Sequence, residues 1–120
     1  MPVSATAYRS FLLVAILVLL DQVTKLAVKG FSFLGMHHDG MFLGESRPLI
    51  GDAIRLTFVE NPGMAFGISW GDGKLLLTLL TIGIAIFLVM YLLRLVTAHW
   101  APRLAVTLIL AGALGNLIDR

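Results

Sequence analysis

Three stretches of this chain are apolar over lengths that matter, and polar residues interrupt them unequally. Leu75 to Leu93, bounded by Lys74 and Arg94, holds no charged residue. At about 1.5 Å rise per residue, a helix of that length nearly crosses a ~30 Å hydrocarbon core. A first span is predicted over residues 8–28, apolar throughout from Phe11 to Leu20 and then interrupted by Asp21, Gln22, Thr24 and Lys25. Arg9 ahead of a short oily run would also suit a signal peptide. No small-x-small cleavage site follows, however, and helical patterning continues through Leu26, Ala27 and Val28, so an uncleaved helix is expected. A third span is predicted over residues 104–118, after Pro102 in what would be its first turn. Ala111, Gly112 and Gly115 would let another helix approach it closely. The short link from Thr97 to Pro102 makes the last two spans antiparallel neighbours.

Residues 30–73 break this pattern, with glycines, Pro48, Pro62 and most of the acids. Ile54-Arg55-Leu56-Thr57-Phe58-Val59 alternates roughly and reads as a strand, which Asn61-Pro62-Gly63 then ends in a turn. Met64 to Trp70 is apolar with interspersed glycines and closes on an aromatic suited to the membrane–water boundary. The expectation is a small β-element on the membrane surface. The whole of 1–120 reads as a single all-α membrane domain: span 8–28, surface loop 30–73, span 75–93, span 104–118.

Composition agrees with lipid as the solvent. The chain is 58% hydrophobic and 13% charged, with a mean hydropathy of +0.94. A soluble domain carries about 25% charged residues. A net charge of +2 without a basic run gives no hold on nucleic acid. The absence of cysteine removes disulfides, thiolate metal sites and thiol nucleophiles. Charge sidedness is a weak guide: Arg9, Arg94 and Arg103 fall on one side, and Lys25, Lys29, Arg47, Arg55 and Lys74 on the other. Counted plainly, that places the 30–73 loop in the cytoplasm.

Polar groups in hydrocarbon are costly and mark sites. Asp21 and Lys25 stand four apart, share a helix face and can pair, with Lys25 reaching toward the interface. Gly112, Asn116 and Arg120 recur every four residues and form one stripe, with Asp119 about 100° around the helix. In Asn61-Pro62-Gly63-Met64-Ala65-Phe66 the small residues leave room for a ligand backbone, and strand addition of a peptide is conceivable there. His37, His38 and Asp39 are consecutive, poor spacing for a metal, and read as solvated loop residues. No phosphate loop, HExxH or G-x-S-x-G is present, and no serine stands at a suggestive spacing from a histidine. No metal or cofactor is implied. Taken alone, these intramembrane charges would also suit a small membrane subunit of a transporter or proton pathway using Asp21, Lys25 and Asp119.

Three segments are specific when read together: Asp21-Gln22-Val23-Thr24-Lys25, Asn61-x-Gly63-x-Ala65-Phe66 and Gly115-Asn116-Leu117-Ile118-Asp119-Arg120. In this order and at these depths they resemble the lipoprotein signal peptidase family, signal peptidase II. The resemblance implies a four-helix bundle in the bacterial cytoplasmic membrane, both termini cytoplasmic, with a β-cradle outside; this overrides the charge count. It also implies an aspartyl endopeptidase cutting prolipoproteins before a diacylglyceryl-cysteine, with prolipoprotein and membrane lipid as partners. By that resemblance Asn61, Gly63, Ala65, Gly112, Asn116 and Arg120 meet substrate, while Asp21, Lys25 and Asp119 are framework. The two hydrolytic aspartates of the family belong to a V-D-F stretch and an F-N-x-A-D motif, both later than Arg120. The chain as written, a signal peptidase II lacking its C-terminal part, is therefore expected to be inactive.

Overall fold

The computed structural model describes residues 4–60 and 73–120. The expected Asn61, Gly63 and Ala65 cradle positions, and the apolar run to Trp70, lie outside the described residues. The order of elements is α1 (Ala5–Lys29), β1 (Gly30–Phe33), β2 (Met36–Asp39), β3 (Ser46–Ile50), β4 (Ile54–Thr57), α2 (Gly73–Arg94) and α3 (Trp100–Ile118). A 3₁₀ turn at Leu95–Thr97 joins the last two helices. All three helices are long and apolar enough to cross a membrane, as the oily runs require.

The chain divides into two compact units. One comprises residues 1–21 and 63–120, the other residues 22–62. In the first, Val14 of α1 meets Ala85, Leu88 and Leu92 of α2 and Val106, Leu110 and Ala111 of α3. On α2 these positions recur at three- and four-residue steps, and on α3 Val106 and Leu110 stand four apart with Ala111 adjacent, so each presents a narrow seam. Leu92 and Leu110 are almost wholly enclosed. Most other large side chains on these helices remain exposed, including Leu79, Ile86, Phe87 and Ile109. Oil as apolar as leucine leaves packing and interhelical hydrogen bonds, not water exclusion, to hold the seam together.

α3 starts at Trp100, ahead of the apolar run, because the His99 ring accepts from the Ala101 N–H (3.4 Å) and caps the helix. Pro102 then occupies the first turn, where its missing N–H costs nothing. Thr107 is buried, yet its hydroxyl donates to the Arg103 carbonyl at 2.8 Å and so needs no other partner.

The second unit holds two antiparallel hairpins in place of the single strand expected. In the first, Gly30 pairs with Asp39 and Phe33 with Met36, leaving a two-residue loop of Leu34 and Gly35. Both loop residues have positive φ, 48° and 80°, the geometry that matches strand twist in a tight hairpin. His37, His38 and Asp39 therefore sit on a strand, not in a loop. Consecutive polar residues hide the two-residue period that would have signalled it. The base of this hairpin is stitched to the end of α1. The Met41 N–H donates to the Val28 carbonyl (2.7 Å), His38 Nε2 lies 3.0 Å from the Ala27 carbonyl oxygen, and Lys29 pairs with Glu60 at 3.0 Å. Gly30 and Gly40 face each other so closely that a Cβ on either would strike the other's backbone.

The second hairpin pairs Ser46 with Thr57 and Ile50 with Ile54, with a bulge between Pro48 and Ile50. Proline has no N–H for a ladder, which suits it to an irregular stretch of this kind. Arg55 fastens the hairpin through the Ser46 hydroxyl (3.1 Å), the Ser46 carbonyl (3.2 Å) and Asp52 (3.3 Å). Ahead of β3, Glu45 accepts from the Phe42 N–H and from Arg47 at 2.7 and 2.6 Å. These two donors hold its carboxyl below the usual carboxylate range, the Arg47 contact contributing most.

Candidate functional site

Within the helical unit, Asp21 of α1 and Thr81 of α2 both lie against the last turns of α3. There the polar residues picked from the sequence meet a residue that was not. Asp21 of α1 lies against Gly115 of α3: a Cβ on Gly115 would collide with its carboxylate, with Cγ only 3.1 Å away. The acid crosses the helix at that point, and the glycine leaves it room. Gly112 is different. Among the described residues nothing lies within 4 Å of a Cβ built there, so the close approach expected at both glycines occurs at Gly115.

Arg120 reaches α2, where its Nη1 donates to the Thr81 hydroxyl at 2.8 Å. Thr81 in turn donates to the Leu77 carbonyl at 2.7 Å, so its oxygen both gives and accepts. Three helices are thus tied over the last turns of α3 by a carboxylate against a glycine and a guanidinium on a hydroxyl. Asn116 is exposed at the same end of α3. The Asp119 N–H closes α3 onto the Gly115 carbonyl at 3.3 Å. Lys25 belongs to the hairpin unit and is half-buried there.

Thr81 was missed in the sequence. A threonine inside an apolar helix satisfies itself by donating to the backbone carbonyl one turn back, so it need not signal a partner. The available signal was that polar side chains within membrane helices are the usual interhelical hydrogen-bonding groups.

A model of the family described as signal peptidase (SPase) II matches residues 13–120. The chain belongs to the signal peptidase II family. Curated relatives agree. The lipoprotein signal peptidase of Halothermothrix orenii is 38% identical over 110 residues, covering 92% of this chain and 68% of the relative. That of Treponema denticola is 38% identical over 117 residues, covering 94% and 62%. That of Porphyromonas gingivalis is 38% identical over 110 residues, covering 89% and 44%. The chain thus spans between 44% and 68% of the length of these signal peptidases. No solved structure matches it significantly. Within a signal peptidase II, the family match runs through both Asp21 and the Gly115–Arg120 segment that the helical unit brings together.

Proposed function

We propose that residues 1–120 form the peptide-holding part of a signal peptidase II, a multi-pass protein of the bacterial cytoplasmic (inner) membrane that releases signal peptides from prolipoproteins. The substrate carries a diacylglyceryl-cysteine, and the cut falls just before it. The observation that carries this reading is the convergence of Asp21, Thr81, Gly115 and Arg120 at one end of the helical unit.

The chemistry follows from the groups present. The Thr81 bond takes one of the five guanidinium N–H donors of Arg120 and fixes the plane of the fork. The remaining donors and the exposed Asn116 amide suit the backbone carbonyls of an extended peptide. Asp21 and Asp119 serve as framework, Asp21 by holding α1 against α3, and Lys25 extends that framework along α1. Asn61, Gly63 and Ala65 meet substrate as the family resemblance implies, and Gly112 leaves room on the pocket wall. Hydrolysis is aspartyl: two carboxyls close together share one proton because both cannot ionise cheaply, so one is base and the other acid toward the attacking water. Both belong to motifs that follow Arg120 in the family pattern, so residues 1–120 by themselves bind and do not cut.

The test joins residues 1–120 to the C-terminal segment of a lipoprotein signal peptidase bearing the V-D-F and F-N-x-A-D motifs. The joined protein is expected to process a diacylglyceryl-modified prolipoprotein, and the 120-residue chain to leave it intact. Cleavage by the short chain above background would overturn the assignment of the dyad.

A further inference from the structure

The opposite end of the helical unit carries a second polar feature that peptide cleavage does not use. A cleft of about 270 Å³ opens between the first turns of α1 and α3, walled by Arg9, Ser10, Trp100, Arg103 and Thr107. It is slightly smaller than the ~300–1,000 Å³ of a drug-sized pocket, a scale that suits one headgroup and not a whole lipid.

Its electrostatics are one-sided. No acid occurs among residues 1–20 or between Asp72 and Asp119, so the stretches that build this end supply arginine without carboxylate. Arg9 makes no ion pair among the described residues. Arg103 makes a long 3.4 Å bond to the Ala98 carbonyl, which leaves its charge uncompensated. Both helices present their N-terminal ends here, adding partial positive charge. Trp100 is 61% exposed on the rim, an aromatic of the kind that sits at headgroup level. The walls below it are the apolar faces of two membrane-crossing helices.

We infer that this cleft is a binding site for the phosphodiester of an anionic membrane lipid, held between Arg9 and Arg103 with Trp100 at the glycerol level. Basic pockets between membrane helices recognise anionic headgroups in this way. The lipid, and not a free phosphate, is the occupant because the cleft lies at the ends of spanning helices, where acyl chains can run down their exposed faces.

The test is native mass spectrometry of the 120-residue chain released from micelles containing equal phosphatidylglycerol and phosphatidylcholine. Wild-type protein is expected to retain phosphatidylglycerol in preference, and R9Q/R103Q to lose that preference, with retention falling on the order of tenfold. R94Q removes an arginine outside the cleft and is expected to retain the lipid. Equal retention of the two lipids by wild-type protein overturns the proposal without reference to any variant. So does undiminished phosphatidylglycerol retention by a folded R9Q/R103Q, checked by its helical circular dichroism. Displacement of the lipid by millimolar inorganic phosphate, with phosphate adducts in its place, would make this a free-anion site and overturn the lipid assignment.

Discussion

Gly115 and Asp21 set a close constraint between α1 and α3. A methyl group on Gly115 would have to move the Asp21 carboxylate, the far end of a flexible side chain. Gly115→Ala in the joined protein is therefore expected to lower prolipoprotein processing more than it lowers thermal stability. Gly115→Val, which cannot be absorbed by rotation alone, is expected to cost roughly 1–3 kcal/mol as overpacking does. Equal melting temperature and equal turnover for Gly115→Val would mean that α1 and α3 do not meet there. Thr81→Val keeps the volume but leaves the Arg120 guanidinium without its hydroxyl. The expected cost is about 0.5–1.5 kcal/mol, together with a raised KM for prolipoprotein, while Thr81→Ser retains both. At this scale the sequence draws the eye wherever chemistry stands out against oil: Asp21, Asn116, Asp119 and Arg120 are conspicuous in apolar runs. Thr81 was silent because its hydroxyl answers to its own helix as well as to Arg120.

Among the elements, the helices and the hairpins rest on different forces. Leu110 is enclosed by all three helices, and Leu110→Ala is expected to cost about 2–5 kcal/mol, read as a lowered melting temperature in detergent. An exposed neighbour such as Ile109 lacks that enclosure, and its replacement by alanine is expected to leave that temperature nearly unchanged. The hairpins depend on local polar closure. Because the Glu45 carboxyl is depressed in the folded state, its contribution is present above the ordinary glutamate pKa of ~4.3 and is lost as pH falls through the lower folded value. Acid titration followed at the Phe42 amide by NMR should show the turn opening only below the ordinary carboxylate range, and Glu45→Gln should abolish that titration. The three spans were legible because long oily runs have few alternatives. The first hairpin was not: its turn is Leu34–Gly35, with a leucine at positive φ where Asn or Asp would announce a hairpin, and its second strand is exposed throughout, with three consecutive polar residues.

For the molecule as a whole, the surface is the argument for membrane residence. Large apolar side chains remain exposed along all three helices, from Leu12 and Leu19 on α1 to Ile84 and Met90 on α2 and Leu108 on α3. Water would not tolerate so much uncovered oil, and the chain is expected to stay with membranes through alkaline carbonate washing and to leave only with detergent. Charge sidedness and family resemblance pointed in opposite directions for the 30–73 loop, since basic residues lie on both sides of the spans. The three signature segments carry far more information than that small imbalance. The most direct measurement is the rate at which residues 1–120, joined to a segment bearing the two hydrolytic motifs, release signal peptide from a diacylglyceryl-modified prolipoprotein, compared with the same protein bearing Arg120→Ala. Efficient release that falls sharply in the variant, with its fold intact, is the expected result. Unchanged turnover without the guanidinium would contradict the placement of the peptide-holding site at the meeting point of the three helices.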